Sequence, residues 1–297
     1  VYPVLWDPGI EIGGIPIRFY SYGLCMAVGF VSAMVLFVLR ASRHHDPFEL
    51  FLFTLFTFAG GFVGSKLMFI LVNLEYYREL PSVQLGGCTF PPVRDYLMSG
   101  MVWYGGVLGA LPVAAAYVAI RRLRFLHLAD AAAPALSLGH AWGRLGCFFA
   151  GCCYGEPSSL PWAMTFPRSS VAWAELVEEG SLARTAERTM PLHPTQLYES
   201  AAELVIFLGL VVFSRHQRRR GQTAALYLTC YGAFRFAIEF LRGDLTRGGL
   251  AGLSTSQWIS MGLFVLGAAL FTWGWVRWHR GPAPRDRTPS RPPARSG

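Results

Sequence analysis

The sequence predicts an all-α, polytopic membrane protein with about seven transmembrane helices. Three observations lead there. Of 297 residues, 53% are hydrophobic and 15% charged, with a mean hydropathy of +0.37, too apolar for an ordinary soluble domain. The apolar residues gather into about seven stretches, each close to the roughly 20 residues that a helix needs to cross a bilayer core. The arginines fall in alternate connections between those stretches.

The first stretch, near 19–40, follows acidic residues and precedes no small-residue cleavage site, so it is expected to stay as the first helix. The next three lie near 48–73, 98–120 and 127–150. A more polar segment separates the fourth stretch from the fifth. Three more stretches follow near 194–214, 222–241 and 254–278. Residues 1–278 thus form one membrane domain. The tail, 279–297, "HRGPAPRDRTPSRPPARSG", has no apolar residues able to build a core and is expected to be disordered.

The net charge is +8, and its distribution decides its meaning. One set of arginines holds Arg40, Arg43, Arg121, Arg122, Arg124, Arg215, Arg218, Arg219, Arg220 and six from Arg277 to Arg295. The other, richer in neighbouring acids, holds Arg18, Arg78, Arg94, Arg168, Arg184, Arg188, Arg242 and Arg247. Basic residues favour the cytoplasmic side, which puts the N-terminus in the periplasm and the C-terminus in the cytoplasm. Topology and contact with membrane lipid head groups explain the charge, and no nucleic-acid partner is expected.

Lys66, Arg144 and Arg235 lie inside the apolar stretches, where a charge is costly and marks a candidate functional site. By this topology all three sit at the outer ends of their helices, as do Tyr22, Tyr104, His193, Gln196 and Glu199. Arg144 and Arg235 lie on the order of 10 Å below the interface, just under the outer-leaflet head groups. Snorkelling arginines that merely fix helix packing are the alternative. Spacing favours a site: Arg235 and Glu239, His140 and Arg144, and Glu199 and Glu203 are each four apart and share a helix face. Arg242 falls one further turn along the Arg235–Glu239 stripe. Glu203, deepest of these, is expected to make an interhelical hydrogen bond, and Asp130 to act as a cap. A planar, permanently charged guanidinium suits phosphate, so the chain reads as an outer-leaflet phospholipid-binding protein, more readily an enzyme than a passive lipid binder.

Cys147, Cys152 and Cys153 stand near His140, but the paired C-x-x-C spacing of a zinc site is missing, so no metal is expected. "GGFVGSK" at Gly60–Lys66 lacks the ending of a phosphate loop. Its glycines are expected to let two helices approach, with Lys66 a peripheral phosphate contact.

Five blocks, "SYGL" at Ser21–Leu24, "YGGVLG" at Tyr104–Gly109, "GRLGCF" at Gly143–Phe148, "HPTQLYE" at His193–Glu199 and "YGAFRFAIEFLR" at Tyr231–Arg242, resemble prolipoprotein diacylglyceryl transferases, in the same order. The resemblance implies a seven-helix bundle with a small periplasmic head segment, here about 155–193, and transfer of diacylglyceryl from phosphatidylglycerol to the lipobox cysteine of a prelipoprotein signal peptide, in the bacterial cytoplasmic (inner) membrane and without a cofactor. It implies that Arg144 and Arg235 bind the phospholipid and act in catalysis, with Glu239, Tyr22 and Gly155 as further donor contacts. Two positions depart from the family pattern. Tyr104 stands where histidine is common, and Cys147 where asparagine is common. Tyr104 is a weak base near pKa ~10, which makes His193 or His140 a candidate replacement. Cys147 is expected to contact the donor as a small side chain, not to act as a nucleophile. Two readings stay beside this one: a diverged transferase with another acceptor, and a transporter, which normally shows internal repeats and a midplane site.

Overall fold

The computed structural model describes residues 4–9, 11–12, 15–16, 18–75, 83–85, 88–90, 100–243 and 249–280. Among these are seven helices of 17 residues or more: α1 (Ser21–Ala41), α2 (Pro47–Val72), α3 (Trp103–Ile120), α4 (Phe125–Ala150), α6 (Thr195–His216), α7 (Gln222–Ile238) and α8 (Thr255–Arg280). A short α5 (Val171–Glu178) lies between α4 and α6. Each long helix falls on an expected stretch. The described residues are mostly helical, as expected, and four short antiparallel strand pairs accompany the helices, among them Val4–Trp6 with Phe19–Tyr20. The expected tail from 281 onward lies outside the described residues, and α8 reaches two residues into the range assigned to it.

Five helices, α1, α2, α6, α7 extended to Leu241, and α8, are long and apolar enough to cross a membrane by themselves. Helix α3 is apolar but shorter. Helix α4 is long, and its Asp130, His140 and Arg144 lower its hydropathy.

The chain forms two compact units, Met34–Leu128 and the remainder. In the first, α2 and α3 meet along glycines. A Cβ on Gly64 would collide with the Gly105 carbonyl and one on Gly109 with that of Gly60, so the two backbones touch, as expected from "GGFVGSK". Asp46 caps α2 by accepting from Phe48 N at 2.9 Å and Glu49 N at 3.2 Å, with Pro47 at its first position.

In the other unit, α1 packs on α4 where Gly29 meets Trp142 and Gly146 meets Tyr22 and Cys25. Gly232 and Gly267 bring α7 and α8 together. Asp130 is the cap expected, but of a neighbouring helix: it accepts from Gly221 N at 2.6 Å and Ala224 N at 3.1 Å at the start of α7. Ser254 and Gln257 cap α8 reciprocally, Ser254 N to Gln257 Oε1 at 2.9 Å and Gln257 N to Ser254 Oγ at 3.2 Å. Residues 151–194 have a core of their own, with Tyr154, Phe166, Ala172, Leu176 and Leu192 buried together.

Candidate active site

The two i, i+4 pairs on α4 and α6 face each other. Arg144 Nη2 lies 2.9 Å from Glu199 Oε2, and His140 Nδ1 lies 2.8 Å from Glu203 Oε1. Ser137 Oγ adds a bond of 2.6 Å to Glu203 Oε2, and Ser200 Oγ donates to Ala141 O at 3.0 Å. Positions rising on α4 meet positions falling on α6, the register of antiparallel helices. Arg144 Nε donates to His140 Nε2 at 3.1 Å. Because a guanidinium only donates, Nε2 accepts and Nδ1 carries the proton given to Glu203. The expected interhelical bond of Glu203 is therefore present, and it orients Arg144 through His140.

The expectation that Arg242 continues the Arg235–Glu239 stripe is wrong. Helix α7 ends at Ile238, Glu239–Leu241 forms a 3-10 turn, and Arg242 leaves it in extended conformation. It bridges antiparallel to Gly155, which sends its side chain to Glu199, Nη1 to Oε1 at 3.1 Å. Glu199, 1% exposed, thus holds two guanidiniums. Gly155 makes this crossing possible. A Cβ there would come within 2.6 Å of His193 Cβ and 2.8 Å of Thr195 Cγ2, and its N–H donates to His193 O at 2.9 Å.

Arg235 and Glu239 pair as their spacing implies, Nη1 to Oε2 at 2.7 Å and both buried. The Nη1 hydrogens are not aligned for a hydrogen bond within the protein, which leaves donor capacity on a buried guanidinium. Ser254 Oγ holds the other Glu239 oxygen at 2.7 Å. One turn before Arg235, Tyr231 feels the charges of both Arg235 and Arg144 and packs edge-on to His140, with centroids 5.5 Å apart.

Helix α4 ends in a Schellman turn. Gly151, at φ +70°, donates to Phe148 O at 3.2 Å, and Cys152 N donates to Cys147 O at 3.1 Å. Cys153 also takes a left-handed φ of +59°, which turns the chain once more. The Sγ atoms of Cys147, Cys152 and Cys153 end within 4.8 Å of one another. Thr195 and Gln196 at the start of α6 fix this turn through Cys153 O at 2.8 Å and Cys152 O at 2.7 Å.

Tyr22, 40% exposed, lies within electrostatic reach of Arg144 and the three thiols. His193 stands beside the Gly155 crossing, and its ring is directed to Tyr198, Nδ1 to Oη at 3.4 Å. The structure therefore brings Arg144, Tyr22, Cys147 and Gly155 to one region, with Arg242, Glu199 and His140 joined to it. Tyr104, at the second position of α3 and 41% exposed, and the half-buried Lys66 belong to the other unit. Sequence reasoning did not name Glu199 as the hub. The signal was present in the matched four-residue spacings of His140 and Arg144 and of Glu199 and Glu203.

A model of the prolipoprotein diacylglyceryl transferase family matches residues 9–273. Among curated proteins, the phosphatidylglycerol–prolipoprotein diacylglyceryl transferase of Clostridium tetani is 32% identical over 91% of this chain and 96% of its own length. That of Burkholderia lata is 34% identical over 92% and 96%, and a Clostridium perfringens homologue 32% over 88% and 92%. The chain therefore belongs to the prolipoprotein diacylglyceryl transferase family, whose members are polytopic membrane proteins.

Proposed function

We propose that Arg144 and Arg235, with Arg242 behind them, carry the reaction that family membership assigns: the chain transfers diacylglyceryl from phosphatidylglycerol to a prolipoprotein. The observation that carries this residue assignment is the pair of guanidiniums that Glu199 holds together, with Arg144 partly open. A phosphodiester is the monoanion that suits it. The acceptor sulfur attacks the glyceryl carbon bearing the phosphate, the carbon–oxygen bond breaks, and the oxygen leaves with the electron pair as glycerol phosphate. The arginines stabilise that growing charge in a dry site, where one such donor is worth about 3–4 kcal/mol.

Around this core, Tyr22 and Cys147 line the donor's path, Tyr104 takes part in the transfer, and His193 and Gly155 set the crossing that delivers Arg242. Residues 155–193 form a periplasmic head, and 279–297 a cytoplasmic tail. The arginine distribution supports an N-terminus in the periplasm of the inner membrane. Purified protein incubated with headgroup- and glyceryl-labelled phosphatidylglycerol and a lipobox peptide should move glyceryl label to the peptide cysteine and release glycerol phosphate. Folded protein that transfers nothing, beside a working homologue, would contradict the assignment.

A further inference from the structure

We propose that Cys147, Cys152 and Cys153 form a three-thiolate zinc site whose open fourth position takes the acceptor cysteine. The proposal rests on the transferase reading above and supplies what that reading lacks, a means of ionising the acceptor thiol. Position 104 holds a tyrosine. Both ring nitrogens of His140 are engaged, by Arg144 and Glu203. His193 turns its ring to Tyr198.

The geometry suits the metal. Zinc–sulfur bonds of about 2.3 Å at tetrahedral angles put the sulfurs about 3.8 Å apart, and the three Sγ atoms already lie within 4.8 Å of one another. The sequence argument against a metal was the absent C-x-x-C spacing. The Schellman turn at Gly151 and the left-handed Cys153 bring the three together without it. All three are partly exposed, which leaves one side open as a catalytic zinc requires. Arg144 stands one turn before Cys147 on α4, a cation beside the negative charge of three thiolates around a divalent ion.

The step balances. The acceptor thiol displaces a zinc-bound hydroxide, which takes the thiol proton and leaves as water. Its zinc-held sulfur forms the bond to the glyceryl carbon as glycerol phosphate departs. The thioether product is a weak neutral ligand, so it leaves and water returns.

The test uses the full chain in detergent, kept reduced and reconstituted with zinc. Mass spectrometry of metal content should find about one zinc per chain, falling below about a tenth in Cys152→Ser and Cys153→Ser and unchanged in Cys230→Ser. Cobalt loaded into the wild-type chain should show a thiolate-to-cobalt charge-transfer band, and a lipobox peptide should shift its ligand-field bands where a peptide with serine in place of the cysteine does not. Chelation should lower transfer at least tenfold, with zinc restoring it. A chain that transfers diacylglyceryl at full rate without metal, binds no zinc, or joins two of the three cysteines in a disulfide while active overturns the zinc proposal and leaves the transferase reading standing. A chain that binds zinc and shows the peptide-induced cobalt shift yet transfers nothing overturns the transferase reading alone.

Discussion

Arg144 on α4 and Glu199 on α6 meet at 2.9 Å, and Glu199 turns its other oxygen to Arg242 at 3.1 Å. One carboxylate therefore fixes two guanidiniums that come from different parts of the chain. In a buried setting this arrangement is chiefly a positioning device, since desolvating the ions cancels much of their attraction.

Glu199→Ala leaves the buried Arg242 and the partly buried Arg144 without their shared partner. Breaking such a pair costs about 3–5 kcal/mol, so thermal unfolding in detergent should fall markedly and transfer should be lost. Arg242→Ala added to it should recover part of the stability, because the removed cation no longer needs a partner. A double variant no more stable than Glu199→Ala would speak against the hub.

Gly64→Val forces a branched side chain against the backbone of Gly105 and Gly109. Overpacking costs about 1–3 kcal/mol. The melting temperature should drop, with the labelled-lipid reaction still measurable in the folded fraction. An unchanged melting temperature would show that α2 and α3 do not touch there.

Ser254→Ala removes both a cap of α8 and a bond to Glu239. The cap alone is worth about 0.5–2 kcal/mol. Because Glu239 holds Arg235, kcat should fall by more than the lost stability explains, and Ser254→Thr should restore it. Full kcat in Ser254→Ala would confine Ser254 to a structural part.

Tyr104→Phe should slow transfer moderately, and Tyr104→His should be tolerated. Complete loss on Tyr104→Phe, with a tyrosinate titration in the wild-type pH profile, would make Tyr104 the base.

Most of the helices were legible because each is a single apolar run. Local spacing also revealed the Arg235–Glu239 pair and the Gly60 and Gly64 contact. Arg242 was misread because the switch from α helix to 3-10 turn at Glu239 carries no glycine or proline to announce it. The meeting of the three thiols is not legible, because a pattern five and six residues apart says nothing about the left-handed residues that fold it. Glu199 was seen but not joined to its partners, since pairing between helices depends on a register that no single helix encodes.

The central claim is that the buried guanidiniums act as forks on the phosphate, and the intact mass of a lipobox peptide incubated with phosphatidylglycerol tests it most directly. Wild-type protein should add one diacylglyceryl group to the cysteine, while Arg144→Lys and Arg235→Lys, folded and inserted, should do so about two to three orders of magnitude more slowly. Near-normal modification by both lysine variants would contradict it and leave the arginines as helix anchors.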